Sequence, residues 1–306
     1  MKKKNLLFFI FLLCLLLAII LSPAKFLSAG LNGISAWALN VLPAVLPFMI
    51  ISQLLISTNY IEKICRPLSL PFVKMYNTSA YSFYVFFISI LSGYPVGSKT
   101  IADLYEQNKI SKTDAFRMSS FCSNSGPMFI VGSVGVGMLN SATAGYIILL
   151  SHIISAMLNG LIYRRFKIKN EPSKCLVSSN NSLSFGDIIE NSCRSILIVG
   201  TIIMFFFILI EFVSLFTSFL PQSIQSVLFG LIEITKGCKS LSLVYETKMA
   251  TILSTVVITF GGFSTALQSI SLLNRVKMPL SLFILQKLTQ GILSGIIAFF
   301  LCLVIF

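Results

Sequence analysis

The chain has 306 residues, of which 56% are hydrophobic and only 11% are charged. A soluble domain usually carries about 25% charged residues, so this composition predicts one integral membrane domain without a sizeable soluble part. The formal net charge is +13, but the positive residues lie mostly in short loops, which favours membrane topology over nucleic-acid binding. The seven cysteines are scattered without a CxxC pair, so no zinc site, disulfide framework or cofactor is predicted.

Hydropathy and helix breakers predict the membrane-embedded helices of the first part of the chain. The first helix, Asn5–Leu21, follows three lysines. We expect it to be retained, because its apolar run is longer than that of a cleaved signal peptide, which is the alternative. The second, Ile34–Ser57, contains two prolines that should bend it. The third, Ala80–Leu91, ends at a Gly-Tyr-Pro break.

A polar stretch, Lys99–Arg117, follows this break and is too charged to span a membrane. We expect its Asp103–Arg117 part to be a solvated connector. The next apolar segment, Met128–Leu139, is short and glycine-rich, which favours a re-entrant segment over a span. The first half then closes with a predicted span, Thr143–Tyr163.

The second half begins after a basic and Ser/Asn-rich stretch, 164–184, which is predicted to be a cytoplasmic linker. An amphipathic lead-in, Phe185–Arg194, precedes a long predicted span, Ser195–Leu220. A short segment, Ile224–Thr235, is similar to the earlier re-entrant candidate. The remaining predicted segments are the apolar run Met249–Phe260, the small polar stretch Ser264–Asn274 and the closing apolar run Pro279–Phe306.

Two breaks of the first half recur in the second half at a nearly equal offset. Gly93-Tyr-Pro-Val-Gly-Ser-Lys99 corresponds to Gly230-Leu-Ile-Glu-Ile-Thr-Lys236, and Phe121-Cys-Ser-Asn-Ser-Gly126 corresponds to Phe260-Gly-Gly-Phe-Ser-Thr265. The pattern favours an internal duplication, and chance similarity between glycine-rich sequences is the alternative.

This duplication predicts four parts of the chain. They are an N-terminal helix and loop at 1–33, a first repeat at 34–163, the linker at 164–184 and a second repeat at 185–306. The distribution of Lys and Arg places the N terminus in the cytoplasm and gives the two repeats opposite orientations. Inverted repeats with broken helices are the architecture of many secondary transporters.

The breaks of the first half carry four candidate substrate-binding residues: Ser98, Lys99, Asn124 and Ser125. Backbone that breaks at membrane depth is tolerated only inside protein or beside a polar cavity, which is why such breaks indicate a binding site. Lys99 suits an anionic substrate, with a snorkelling lysine or a salt bridge to Asp103 as alternatives. Asn124 and Ser125 can contact a polar ligand or only cap a helix.

The second half contributes five more candidates: Glu233, Lys236, Ser264, Thr265 and Gln268. Glu233 and Lys236 are ionisable groups in an apolar segment, where such groups are usually functional. They can form an internal pair, or Glu233 can couple protons. Ser264, Thr265 and Gln268 follow a Gly-Gly break and can bind a polar ligand or join helices.

Other ionisable residues are expected to be structural. The single histidine, His152, is predicted to pack between helices rather than to relay protons, and Glu211 is predicted to lie at the interface. The sequence contains no nucleophile elbow, phosphate loop, HExxH motif or paired catalytic carboxylates, so it does not predict an enzyme.

Five motifs resemble the YlbJ family of sporulation integral membrane proteins. They are Gly93–Glu106, Phe121–Pro127, Gly132–Gly137, Gly230–Gly237 and Phe260–Gln268. The resemblance covers nearly the whole chain and implies an all-α, polytopic membrane protein with two Gate-type (nucleoside recognition) repeats, distantly similar to concentrative nucleoside transporters. It departs where Thr265 and Ala266 stand in place of an expected histidine-containing Ser-x-His-x-Gln pattern.

The family resemblance also implies a function in endospore formation. It favours a transporter of a small polar or anionic metabolite, with dipicolinate as the suggested substrate. The alternatives are a non-transporting membrane scaffold for spore envelope assembly and a nucleoside carrier. The expected partners are the lipid bilayer, a small-molecule substrate and further copies of the chain. The expected location is the cell membrane or a spore-envelope membrane.

Overall fold

The computed structural model describes residues 2–58, 60–168 and 184–306, and no β-strand occurs among them. Most of the predicted linker, residues 169–183, lies outside the described residues. The prediction of an all-α protein is confirmed for the described residues.

The first half of the chain is divided into short and long helices. Its α-helices are α1 (Lys2–Leu21), α2 (Pro23–Ala36), α3 (Leu42–Ser57), α4 (Tyr60–Tyr76), α5 (Tyr81–Ser92), α6 (Val96–Glu106), α7 (Lys112–Ser119) and α8 (Ala142–Tyr163). A π-helical segment, Trp37–Val41, joins α2 to α3, and a second, Met128–Val136, lies between α7 and α8.

The second half is divided in the same manner. Its α-helices are α9 (Phe185–Thr217), α10 (Gln222–Ile232), α11 (Ile234–Val244), α12 (Thr247–Phe260), α13 (Gly262–Leu273) and α14 (Leu280–Ile305). A 3₁₀ turn, Asn274–Val276, follows α13.

Four helical segments of the described residues are long and apolar enough to cross a membrane. They are α8, α9, the unit of α12 and α13 with its 3₁₀ turn (Thr247–Val276), and α14. A fifth span results if α1 and α2, which are bent by 105° relative to each other, cross together. The chain is therefore a multi-pass membrane protein.

The side chains of α14 show how the protein is organised for lipid. Gln286, Lys287 and Gln290 are buried, whereas Leu288 and Phe299 are exposed. A water-soluble helix bundle has the opposite arrangement, with apolar residues inside. Apolar surfaces facing outwards and polar groups collected inside are consistent with a lipid bilayer as the surroundings.

Two helix pairs fold back on themselves. A Cβ added to Gly97 of α6 would lie 2.7 Å from the Cβ of Ser89 of α5, across the break at Gly93. A Cβ added to Gly237 of α11 would lie 2.1 Å from the Cα of Gly230 of α10, across the break before α11. Each hairpin is therefore held together by close backbone contact that only small residues permit. The further step, that the halves are inverted repeats, stays a prediction.

The N-terminal region differs from the expected helix and loop at 1–33. Residues 23–36 form α2, which begins at Pro23, a favoured first helical residue because proline lacks the N–H that would be unpaired there. Lys25 and Asn32 lower the mean hydropathy of this segment, which explains why hydropathy did not predict a helix there. The boundary predicted between residues 33 and 34 consequently falls inside α2.

The start of the second half also differs from prediction. The lead-in and the long span are one continuous helix, α9. It begins with a capping box, in which the Ser184 hydroxyl accepts from the Asp187 N–H and the Asp187 carboxylate accepts from the Ser184 N–H.

The polar stretch after α5 is not a solvated connector, contrary to prediction. Asp103 and Arg117 are only 5% and 6% exposed. The Arg117 guanidinium donates to the carbonyl of Phe166 at 2.8 Å and to the carbonyl of Asn77. Burial of these charges is tolerated because each is hydrogen-bonded or paired.

Candidate functional site at the helix breaks

The two breaks of the first half lie directly against each other. A Cβ added to Gly93 would lie 2.7 Å from the backbone nitrogen of Gly126. Gly93 also has a φ of +80°, which side chains other than glycine rarely adopt. Glycine at this position therefore lets the tip of the α5–α6 hairpin rest on the break between α7 and the second π-helical segment.

The breaks of the second half meet those of the first through Tyr94. Its hydroxyl donates to the carbonyls of Ile258, at 3.4 Å, and Thr259, at 3.3 Å, in the last turn of α12. The break at Gly261-Gly262 comes directly after this last turn of α12. A Cβ added to Gly262 would lie 3.2 Å from the carbonyl oxygens of both Gly230 and Ile232. All four breaks are thus linked by short contacts in the protein interior.

Lys287 of α14 is the most unusual group at this meeting point. It is 1% exposed, and its ammonium donates to the Ser123 carbonyl at 2.8 Å and to the Gln290 side-chain oxygen at 2.7 Å. It also stands 5.0 Å from the centre of the Tyr94 ring, a cation–π contact. Among the described residues, no carboxylate forms an ion pair with it. A buried ammonium without a counter-charge is costly and usually functional in a membrane protein.

Asn124 holds three elements together. Its amide donates to the Ser89 hydroxyl at 2.9 Å and to the Phe121 carbonyl at 2.8 Å. Its side-chain oxygen accepts from Gln290 at 3.3 Å. Asn124 therefore connects the break after α7 with α5 and with the helix that carries Lys287.

His152 of α8 joins the two halves from the opposite side. Its Nε2 accepts from the Ser125 backbone N–H at 3.0 Å, so that nitrogen carries no proton. In the neutral ring the proton then lies on Nδ1, which donates to the Thr259 hydroxyl at 2.9 Å. His152 is fully buried, so its expected place between helices is confirmed.

We call this set of residues the central cluster. Its members are Tyr94, Ser123, Asn124, Ser125, His152, Thr259, Lys287 and Gln290.

The sequence predicted Asn124 and Ser125 in this region, and the structure brings both into the central cluster. Lys287 and Gln290 were not identified from the sequence, because the high mean hydropathy of α14 made the whole helix resemble an ordinary apolar span. These residues could have been recognised from the sequence, because Gln286, Lys287 and Gln290 are polar and lie on one face of an otherwise apolar helix.

Lys99 lies outside the central cluster. Its ammonium is 3.2 Å from the Asp103 carboxylate, which confirms the salt-bridge alternative. The same carboxylate accepts from Gln53 at 3.0 Å and from Arg275 at 3.2 Å, and Arg275 also pairs with Glu106 at 3.0 Å. These five residues form a charge network that joins α3, α6 and the turn after α13.

The predicted serine and threonine sites are mostly internal to their own helices. The Ser98 hydroxyl is buried and unpaired within the described residues. Gln268 donates to the Ser264 hydroxyl at 3.2 Å, and the Thr265 hydroxyl donates to the carbonyl of Gly261. The stretch around them, expected as a small polar segment, is the buried helix α13.

Glu233 and Lys236 do not form the internal pair that their spacing allowed. The Glu233 carboxylate accepts from the backbone N–H of Lys236 at 2.9 Å and so caps α11. The ammonium of Lys236 instead lies 3.9 Å from Glu211 and 5.7 Å from the centre of the Phe229 ring. Glu233 remains 4% exposed at the tip of the α10–α11 hairpin.

Comparison with known proteins finds a similar sporulation protein. It is 27% identical to the sporulation integral membrane protein YlbJ of Bacillus subtilis (strain 168), in an alignment that covers 96% of this chain and 82% of that protein. This similarity supports the assignment of the chain to the YlbJ family. No family model and no solved structure matches it. The alignment covers both halves of the chain.

Proposed function

We propose that this protein is a membrane transporter for a small anionic metabolite, acting in a membrane of the developing spore. The observation that carries the proposal is Lys287, a buried ammonium with only neutral partners among the described residues. The related protein is named for sporulation, and the family resemblance suggests dipicolinate, a small aromatic dicarboxylate, as the solute.

The surroundings of Lys287 suit a carboxylate. Helix α13 begins at the break beside Tyr94, and exposed N–H groups at a helix N terminus favour negative charge. The hydroxyl of Ser123, whose carbonyl accepts from Lys287, is buried and unpaired within the described residues, which leaves it free to bind a solute. A bound carboxylate would supply the counter-charge that Lys287 lacks.

Transport requires the central cluster to open, because its side chains are buried. The tips of the hairpins α5–α6 and α10–α11 place Gly93 against the break at Gly126 and Gly230 against the break at Gly262. We propose that these tips move to admit the solute. Ser264, Thr265 and Gln268 would then line the path on α13, and Lys99 and Glu233 would act at its two ends.

Lys287 also separates this proposal from the nucleoside alternative. A nucleoside is neutral and does not need a buried cation, whereas a dicarboxylate does. No specific contact among the described residues favours nucleoside binding over anion binding. Nucleoside transport is therefore a possible result of the binding test below and not a second proposal. The scaffold alternative predicts that the interior tolerates polar substitutions that keep its packing.

A complementation experiment tests the proposal. Lys287→Gln and Asn124→Ala would each be produced in sporulating cells that lack the native gene, with Lys248→Gln on α12 as the matched control. We expect both cluster variants to reach the membrane and fail in dipicolinate accumulation, while Lys248→Gln functions. Full function of both cluster variants contradicts the proposed site. A thermal-shift panel with dipicolinate and nucleosides then distinguishes an anion carrier, which dipicolinate stabilises, from a nucleoside carrier, which nucleosides stabilise.

A further inference from the structure

An open pocket of about 910 Å³ lies between α2, α9 and α11, outside the central cluster. Three lysines line it: Lys25, Lys236 and Lys239. Its one acidic lining residue is Glu211. The pocket is therefore positively charged.

The lysines are poorly neutralised. Lys25 and Lys239 are exposed, and neither forms an ion pair with a carboxylate among the described residues. Lys236 lies 3.9 Å from Glu211, which is at the outer limit for an ion pair. One loosely held carboxylate thus faces three ammonium groups. Charges of one sign in a concave site concentrate ligands of the opposite sign.

The pocket also offers neutral hydrogen-bonding groups and flat apolar surface. Ser28 and Asn32 of α2 are four residues apart, so they lie on the same helix face as one another and both line the pocket. Phe229 lines it as well and has the Lys236 ammonium 5.7 Å from its ring centre. This combination can hold an anionic group together with a short organic body.

We infer that this pocket binds a small oxyanion, a carboxylate or phosphate group carried by a free solute or by a lipid headgroup. The inference goes beyond the proposed transport site, because it involves different residues and holds whether or not the protein transports anything. Phe229 and Thr235 of the α10–α11 hairpin line the pocket, and the neighbouring Gly230 lies against the break before α13. The tip of this hairpin therefore connects the pocket with the break before α13.

Binding to the full chain in nanodiscs tests the inference. The protein in phosphatidylcholine nanodiscs would be titrated with inorganic phosphate and, separately, with dipicolinate. The apparent affinity would be determined from the rise in unfolding temperature. We compare the wild type with the combined variant Lys25→Gln, Lys236→Gln and Lys239→Gln. Loss of charge-assisted hydrogen bonds should weaken binding by about tenfold or more.

Three matched variants make the result specific. Lys248→Gln removes a lysine outside the pocket and should leave the affinity within about twofold, less than one hydrogen bond contributes. Glu211→Gln removes the competing carboxylate and should tighten binding, an opposite sign that misfolding does not produce. Added to both the wild type and the combined lysine variant, Lys287→Gln should leave the difference in binding between them unchanged, which separates failure of this pocket from failure of the proposed transport site.

Nanodiscs that contain phosphatidylglycerol distinguish the two sources of the anion. If a lipid headgroup occupies the pocket, phosphatidylglycerol stabilises the wild type but not the combined lysine variant, and it weakens the binding of both soluble probes. If a free solute occupies it, the soluble probes stabilise the wild type in both lipids. The inference is wrong if neither phosphatidylglycerol nor a soluble probe stabilises the wild type more than the combined variant.

Discussion

Asp103→Asn should destabilise the protein more than most single substitutions of its charged residues. The Asp103 carboxylate lies 3.2 Å from the ammonium of Lys99 and 3.2 Å from the guanidinium of Arg275. At an effective dielectric constant of about 20, each attraction is about 5 kcal/mol before desolvation is subtracted. Because Lys99 is 1% exposed, removing its partner leaves a buried charge uncompensated. Such a loss typically lowers the free energy of unfolding by about 3–5 kcal/mol.

The assay is equilibrium unfolding by SDS titration in mixed micelles, followed by the fluorescence of the single tryptophan, Trp37. Glu106→Gln is the control, because Glu106 is 51% exposed and its pair with Arg275 should contribute about 1 kcal/mol or less. Adding Lys99→Met to Asp103→Asn should restore at least half of the lost stability, since no unpaired buried cation remains. Asp103 does not stabilise a buried charge if Asp103→Asn lowers the free energy of unfolding no more than Glu106→Gln does, or if the double variant is less stable than Asp103→Asn alone.

Two further predictions concern packing and hydrogen bonding, and thermal unfolding in one detergent measures both. Gly97→Ala should cost about 3 kcal/mol or more, because its Cβ would lie 1.8 Å from the Cys122 carbonyl oxygen, whereas Gly132→Ala, with open space around it, should change stability by about 0.5 kcal/mol or less. Equal effects of the two glycine substitutions would contradict the close contact. His152→Phe should cost about 1–3 kcal/mol, because it leaves the buried Ser125 N–H without its acceptor. An unchanged unfolding temperature for His152→Phe would show that this hydrogen bond does not stabilise the fold.

Hydropathy and helix breakers predicted the membrane class, most helices and the breaks. They succeed there because a backbone turn at Gly93 or Gly261 is decided locally, by residues that tolerate positive φ or end a helix. The same local reasoning failed for α2, whose polar residues line a pocket rather than a loop. A helix whose polar residues line an open pocket has too low a mean hydropathy to be recognised as membrane-embedded.

The partners of the charged residues could not be predicted, because they are set by tertiary packing. Asp103 meets Arg275, and Lys287 meets the carbonyl of Ser123, across most of the chain length. The sequence shows that Asp103 and Lys99 are one helical turn apart, which predicted their pair. The sequence gives no indication of Arg275, the third charged group, which lets Asp103 and Lys99 remain buried.

The central claim is that the polar interior carries an anionic solute on Lys287. Uptake of radiolabelled dipicolinate by proteoliposomes, with purified wild type, Lys287→Gln and Lys248→Gln reconstituted at equal density, tests it most directly. We expect saturable uptake for the wild type and Lys248→Gln and none above empty liposomes for Lys287→Gln. Absence of uptake by the wild type, or uptake by Lys287→Gln at the wild-type rate, would contradict it.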